Sequence, residues 1–181
     1  DELDRLRELL EELKRRSETV IKEAEELLRK LERELRELIR EWKEITERLA
    51  RRMEDLSRKG VDERTVEKLA REVKEANKRL EDRLREVKKK ITRDRERLEK
   101  RSEELERRAK EELDKLRKGG LQREDLKRIE EELREILKRH RDANKRIKDE
   151  VEELLKRVEE MLRRLHEEDR KLLEDLKRET D

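Results

Sequence analysis

The sequence predicts an all-α fold, an up-down-up antiparallel three-helix bundle or coiled coil of very long helices. First, charged residues make up 62% of the 181 residues and aromatic residues 1%, and Pro and Cys are absent, so strand-like runs and disulfides are not expected. Second, apolar residues recur at alternating steps of three and four, which places them on one face of a helix. Third, glycine stands only at Gly60 and at Gly119–Gly120, which divides the chain into three segments of nearly equal length.

The first helix is predicted over residues 2–59. Asp1 and Glu2 bring negative charge to its N-terminus, where the helix dipole favours an anion. Lys59 places a cation at the opposite end of the dipole. Gly60 suits the next position, because a residue without a Cβ adopts the left-handed backbone conformation at no steric cost.

The apolar seam of the first helix predicts which of its side chains form the core. It passes through Ala24, Leu27 and Leu31, with Leu28 beside it, and Trp42 further along is expected to fill the core. The mean step of about 3.5 residues is close to both the heptad of left-handed coiled coils and the period of a straight helix. We therefore expect nearly straight or gently left-twisted helices.

The second helix is predicted over residues 62–118, after a loop at residues 60–61. Asp62 is a favourable N-cap, because its carboxylate accepts hydrogen bonds from the free N–H groups of the first turn. Val61 and Val66 have the spacing of a hydrophobic staple, in which an apolar residue before the helix packs on one in its first turns.

The third helix is predicted over residues 122–179, after a loop at residues 119–121. Leu121 and Leu126 repeat the staple spacing, although Gln122 is a weaker N-cap than Asp62. Segments of about 57 residues extend roughly 86 Å as helices, and such short loops require neighbouring helices to run antiparallel. The chain 1–181 is therefore expected to form a single helical-bundle domain.

Polar residues interrupt the seam where an apolar side chain is expected. With the register that the short loops impose, Ser102 comes level with His140 and Val20, and Ser17 and Asn144 lie one turn away. A buried polar group costs roughly 1–3 kcal/mol unless it is hydrogen-bonded. We therefore predict that Ser17, Ser102, His140 and Asn144 form a buried hydrogen-bond network that specifies the register of the helices.

A second polar group is expected towards the other end of the bundle. It consists of Thr46, Asn77, His166 and Asp169, and it is the second candidate for a buried network. In the alternative interpretation Asn77, Asp169 and the isolated Asp94 lie at the rim of the seam in water. For the two acids this alternative is preferred, because an ionised carboxylate is costly to bury.

The first and third segments carry additional apolar positions beside their seams. These are Ile21, Leu28, Ile39, Leu137, Leu155 and Leu173. They widen the apolar stripe towards the width that a globular bundle requires. The alternative is a residual groove that accepts a fourth helix.

The sequence contains no constellation for catalysis, metal binding or a cofactor. His140 and His166 lie about 39 Å apart on one predicted helix, so they cannot share a metal ion. The carboxylates lie among Lys and Arg on faces expected to be solvated, and no phosphate-binding glycine motif occurs. We therefore expect no enzymatic activity, no cofactor and no metal.

The pattern of charged and apolar residues indicates which kinds of partner the protein could bind. Acidic and basic residues are interleaved and the net charge is +2, so no basic face for a nucleic acid is present. No apolar run is long enough for a membrane span or a signal peptide. We expect a monomer that requires no partner and binds neither nucleic acid nor membrane, with a helix partner or self-association as the alternative.

The whole chain resembles computationally (de novo) designed helical bundles. The resemblance rests on helices of equal length, loops that contain only Gly as a breaker, hydrophobic staples, and a surface of Glu, Lys and Arg. It implies a stable single-chain scaffold, built as an idealised fold, with no natural biochemical activity. Natural spectrin-type three-helix repeats are the nearest biological analogue, but they have shorter helices and a core richer in aromatic residues.

Overall fold

The structure, a computed structural model, consists of three long helices. It describes residues 2–60 and 62–180, although some side chains lie outside the described residues. These are the side chains of Ser57, Leu173, Leu176, Lys177, Glu179 and Thr180. Helix α1 spans Glu2–Lys59, α2 spans Glu63–Lys118 and α3 spans Arg123–Thr180. Residues 2–60 and 62–180 contain no strand, so the predicted all-α class with three long helices is confirmed.

The junction between α1 and α2 depends on a glycine and an N-cap. Gly60 has a φ of 88°, in the left-handed region that a side chain disfavours. The carbonyl of Asp62 accepts a hydrogen bond from the N–H of Val66 at 3.1 Å, so Asp62 flanks the helix that begins at Glu63. Val61, the other member of the predicted staple, lies outside the described residues.

The junction between α2 and α3 is also bounded by backbone hydrogen bonds, but neither Gly119 nor Gly120 has the left-handed φ of Gly60. The N–H of Gly119 donates to the carbonyl of Leu116 at 3.3 Å, which closes the last turn of α2. The carbonyl of Gln122 accepts from the N–H of Leu126 at 3.0 Å, so α3 begins one residue later, at Arg123. Leu121 and Leu126, the predicted staple pair, both pack against the same buried apolar cluster.

The fold divides into two compact units. The first unit contains residues 2–29 and 92–152, and the second contains residues 30–91 and 153–180. Each unit therefore includes a segment of all three helices. A single domain over the whole chain, and nearly straight or gently left-twisted helices, stay predictions.

The core of the first unit is built from all three helices. Its buried apolar cluster comprises Leu10, Leu13, Leu105, Ala109, Leu116, Ile129 and Leu133. Ion pairs at the edge of this core show the helix directions. Arg101 pairs with Glu23, and Arg108 lies 3.8 Å from Glu12, so α1 and α2 run antiparallel.

In the first unit, ion pairs also show the relative direction of α2 and α3. Lys148 lies 2.6 Å from Glu99, and Arg141 lies 2.9 Å from Glu106. Because the residue numbers on α3 fall as those on α2 rise, these two helices are antiparallel as well. The predicted up-down-up order therefore holds in this unit.

The second unit has its own apolar cluster. Buried Val66 and Leu69 are surrounded by the partly buried residues Leu49, Met53, Leu56, Ala70 and Leu172. Interhelical ion pairs again define antiparallel neighbours. On one side these are Arg52 with Glu72, Arg83 with Glu41 and Lys90 with Glu34, and on the other Lys88 with Glu159 and His166 with Glu81.

Two expectations about α1 need correction. Leu28 is 5% exposed and belongs to the core, whereas Leu27, which the seam prediction placed inside, is only half-buried. Steps of three and four from Ala24 both stay near the seam, so helical period does not choose between the two leucines. Trp42 is half-buried rather than a core filler, in keeping with a ring too large to be fully enclosed easily.

The additional apolar positions are covered by the chain itself. Leu28 is buried, and Ile21, Ile39, Leu137 and Leu155 are half-buried. Leu137 packs against the apolar cluster of the first unit, and Leu173 lies outside the described residues. No large apolar side chain is exposed in the part of the chain that the structure describes. The widened stripe is therefore favoured over a groove for a fourth helix.

The described helix surfaces carry mostly charged side chains. Within residues 2–60 and 62–180, no helix is both long enough and apolar enough to cross a membrane.

Candidate functional site

A polar cluster lies inside the apolar core of the first unit. Each helix contributes one side chain to it: Ser17 from α1, Ser102 from α2 and His140 from α3. Their exposed fractions are 4%, 6% and 1%, so His140 is among the most deeply buried side chains in the described chain. Each occupies a seam position, where the period of the helix directs the side chain inward. The unit therefore encloses three polar side chains.

The cluster is joined by two hydrogen bonds at the imidazole ring. Nδ1 of His140 lies 2.9 Å from Oγ of Ser17, and Nε2 lies 3.1 Å from Oγ of Ser102. A neutral imidazole has one N–H donor and one acceptor nitrogen. One serine hydroxyl therefore donates to the ring while the other accepts from it, and both ring nitrogens are satisfied without solvent.

The electrostatics of the cluster favour a neutral ring. Burial lowers the pKa of His140, and the carboxylate of Glu106 on α2 acts in the opposite direction with a smaller effect. Glu106 is itself paired with Arg141, 2.9 Å away at the edge of the core. At neutral pH His140 therefore carries no net charge and adds no ionic desolvation cost to the core.

Asn144 does not join this cluster, contrary to the prediction of a four-residue network. It lies one turn further along α3 and is half-buried. No hydrogen bond links its side chain to Ser17, Ser102 or His140 in the described structure. The ring of His140 offers Asn144 no free nitrogen, because both ring nitrogens already have serine partners.

The second predicted group is not assembled into a buried network. Thr46 is exposed, and its hydroxyl donates to the carbonyl of Trp42 in its own helix at 2.8 Å. His166 is also exposed, and its Nε2 lies 3.3 Å from the carboxylate of Glu81 on α2. A threonine hydroxyl readily bonds the carbonyl four residues earlier, which removes Thr46 as an interhelical partner.

Two members of the second group do enter the interior. Asn77 is 8% exposed. Asp169 is half-buried, and its Oδ1 atom is buried without a hydrogen-bond partner among the described residues. Burial raises the pKa of Asp169 to about 6. Asp94 and Asp169 are both half-buried, which agrees with a position at the rim of the seam, but one oxygen of Asp169 is shielded rather than in water.

Interhelical ion pairs are the feature that the sequence patterns did not indicate. A hydrogen bond from Arg101 lowers the pKa of Glu23, and one from Lys148 lowers the pKa of Glu99. Spacing along one helix predicts pairs within that helix, such as Glu11 with Arg15. Pairs between helices depend on register and rotation, for which the sequence carries no local signal.

The chemical capability of the buried cluster is limited by access. Serine and histidine are the types used as nucleophile and base, but a catalytic pair must also reach a substrate. With His140 1% exposed, the ring is enclosed by packed side chains. The arrangement is suited to holding helices together. Within the described residues, no group of three or more His, Asp or Glu side chains is placed to hold a metal ion.

A surface depression lies between α1 and α2 in the first unit. It has a volume of about 1470 Å³ and is lined mainly by Arg and Glu side chains of both helices, among them Arg15, Glu12 and Arg108. Both signs of charge alternate along it, and Arg108 and Glu12 pair with each other across 3.8 Å. The depression therefore offers no single-sign field that would select a ligand.

Comparison with known proteins gives a structural similarity. A solved structure described as a computationally designed three-helix bundle is 19% identical in sequence to this chain, with a TM-score of 0.43. The alignment covers 98% of this chain and 90% of that chain. No protein family and no curated protein matches the sequence.

Proposed function

We propose that the chain is a de novo designed structural scaffold with no natural biochemical activity. Three features support this proposal: idealised helices of 58, 56 and 58 residues, loops in which glycine is the only helix breaker, and a chain in which 62% of the residues are charged. Its function is then to hold a stable and defined arrangement of helices. The observation that most strongly supports the proposal is that Ser17, His140 and Ser102 are buried together and hydrogen-bonded.

The cluster acts in this proposal as a specificity device. In the native register all three polar side chains meet, and both ring nitrogens of His140 are hydrogen-bonded. If one helix slips along its neighbour or exchanges places, the same side chains face leucines and lose their partners. Each unsatisfied buried group then costs roughly 1–3 kcal/mol. The apolar seam, which repeats, does not discriminate between such registers by itself.

The proposal is tested by replacing the whole cluster with apolar residues. The triple variant Ser17→Ala, Ser102→Ala and His140→Leu removes every polar partner at once, so no group is left unpaired. We expect its free energy of unfolding to be maintained or increased, because replacing both partners of a buried hydrogen bond with apolar groups is often neutral or stabilising. We also expect several slowly exchanging species in its NMR spectrum, where the parent gives one.

The NMR spectrum and the mass in solution also serve for the control variant and for the outcome that would refute the proposal. Asn144→Leu changes a half-buried polar residue outside the cluster and is expected to keep a single set of NMR signals. A triple variant that is a single species, with one set of signals and the mass of the parent, would refute the role in specificity. The scaffold function would then rest on apolar packing alone.

A further inference from the structure

Asp169 occupies a position of α3 where the seam elsewhere carries apolar residues. Leu165, one turn before it, is 3% exposed, and Leu172 after it packs against the cluster of Val66 and Leu69. Asp169 is half-buried, and its Oδ1 atom is buried without a hydrogen-bond partner among the described residues. The ionised carboxylate has therefore lost part of its hydration without gaining an equivalent partner.

The titratable groups around Asp169 act on its carboxyl group in opposite directions. His166, one turn earlier on α3, has its Nε2 atom 3.3 Å from the carboxylate of Glu81 on α2. The same carboxylate of Glu81 is held by Arg85 at 2.6 Å. His166 and Lys74 favour the ionised form of Asp169, whereas Glu81 and the neighbouring Glu168 disfavour it.

The facing part of α1 does not supply a buried partner. The ion pairs of α1 with α2 in this unit place Thr46, Glu47 and Arg48 at the level of Asp169. All three are exposed, and the hydroxyl of Thr46 is bonded to its own helix. The charged side chains at this level of α1 therefore remain in solvent.

We propose that Asp169 makes the second unit a proton-responsive element of the scaffold. When the carboxyl group is protonated, α3 is held firmly against α2 and α1 through residues 153–180. When it is ionised, the buried charge loosens the same contact. This role goes beyond a static scaffold, because it couples the local stability of one unit to pH.

The direction of the effect follows from proton linkage. Burial is the main cause that raises the pKa of Asp169 from 3.8 to about 6. The folded state therefore binds this proton more tightly than the unfolded state does. The resulting stabilisation is complete below pH 3.8 and is lost as the pH rises through about 6. His140 in the first unit has the opposite sign, so a variant is needed to isolate Asp169.

The experiment compares unfolding of the parent with that of Asp169→Asn between pH 4.5 and 7.5. The measured quantity is the ratio of their unfolding equilibrium constants, obtained from denaturant titrations followed by circular dichroism. At pH 7.5 we expect the parent to unfold at least about ten-fold more readily than the variant, because the ionised carboxylate then destabilises the folded state. At pH 4.5 we expect a clearly smaller ratio, because most folded molecules then carry the proton on Asp169.

The control is Asp175→Asn, a substitution of an exposed acid on the same helix and in the same unit. Its ratio to the parent should not change across this pH range. If the ratio of the unfolding equilibrium constants of the parent and Asp169→Asn is also independent of pH, the proposal is overturned.

A second measurement does not depend on whether the variant folds. The carboxyl carbon of Asp169 in the parent protein can be titrated by NMR, and we expect its midpoint near 6. A midpoint near 4 would overturn the proposal. Asp169→Leu, which restores the apolar seam, should resist unfolding at pH 7.5 at least as well as Asp169→Asn. A leucine variant that unfolds more readily than the parent at this pH would contradict the claim that the ionised acid weakens the unit.

Discussion

At His140, a single side chain connects all three helices of one unit. Its two nitrogens lie 2.9 Å from Ser17 Oγ and 3.1 Å from Ser102 Oγ. Because a neutral ring has one donor and one acceptor, the two serines must play opposite roles at any moment. The hydrogen bond on α1 and the one on α2 are therefore coupled through the ring, and removal of one serine leaves part of the ring unsatisfied.

The first prediction at the scale of the residue concerns Ser102. We expect Ser102→Ala to lower the free energy of unfolding by about 1–3 kcal/mol, because a buried ring nitrogen loses its partner. Thr19→Ala is the control, since Thr19 is exposed and bonds only the carbonyl of Arg15 in its own helix. This control should change stability by less than about 0.5 kcal/mol. Equal effects of the two substitutions in denaturant titrations would contradict a buried cluster.

The second prediction concerns protonation of His140. Burial lowers the pKa of this ring below its usual value of 6.5, so the folded state binds the proton less tightly than the unfolded state. The stabilisation from the neutral ring is present above pH 6.5 and is lost as the pH falls through the lowered value. An NMR titration of the ring should give a midpoint below 6.5. A midpoint at or above that value would show that the ring is not desolvated.

At the scale of the element, the buried face of α1 is set by its neighbours. Ala24, Leu28 and Leu31 are each 5% exposed, whereas Leu27 is half-buried. Helical period alone allows either leucine to face inward, since each lies within one step of the seam. The segments of α2 and α3 in the first unit decide between them by packing.

A pair of substitutions tests this assignment. We expect Leu28→Ala to cost about 2–5 kcal/mol, because it removes a buried side chain and leaves a cavity. Leu27→Ala removes the same atoms from a half-buried position and should cost clearly less. The order of the two thermal or denaturant midpoints is the readout. If Leu27→Ala proves the more destabilising, Leu27 rather than Leu28 faces the core of this unit.

The α1–α2 junction allows a similar comparison between glycines. Gly60 has a φ of 88°, in the left-handed region, whereas the φ of Gly120 lies outside that region. A Cβ added at either position would meet nothing within 4 Å. Gly60→Ala should therefore lower stability by roughly 1–2 kcal/mol through backbone strain alone. Gly120→Ala should be close to neutral. Equal losses from both substitutions would show that the left-handed conformation of Gly60 is not required.

At the scale of the whole molecule, the described chain covers its own apolar surface. Every large apolar side chain among the described residues is at least partly buried. The surface presents both signs of charge, with a net charge of +2 over 181 residues. The described side chains therefore form no large apolar patch of the kind that drives association.

Light scattering after size exclusion checks the consequence for oligomeric state. We expect a mass of 22.5 kDa that does not change with protein concentration. A stable multiple of this mass would favour the alternative of a self-associating or helix-binding module. The additional apolar positions beside the seams, such as Ile21 and Leu155, would then be candidates for the interface.

Much of the architecture was predictable because its signals are local. The steps of three and four from Leu3 to Leu172 identify helices, and Gly60 with Asp62 and Gly119 with Gln122 mark their ends. Short loops then impose antiparallel neighbours, and register follows from loop length. This reasoning was sufficient to bring Ser102 level with His140, which are hydrogen-bonded at 3.1 Å.

The sequence by itself therefore determined the class, the number of helices and which positions compete for the interior. Only the tertiary structure decided which of those positions is buried and which polar groups meet. The burial of Leu28 rather than Leu27, the half-buried Asp169 and the exposed Thr46 each depend on how the helix that carries the residue is rotated against its two neighbours. That rotation minimises the free energy of many weak packing contacts together. Helical period specifies a side-chain position only to within one step of the seam, so it cannot resolve these choices.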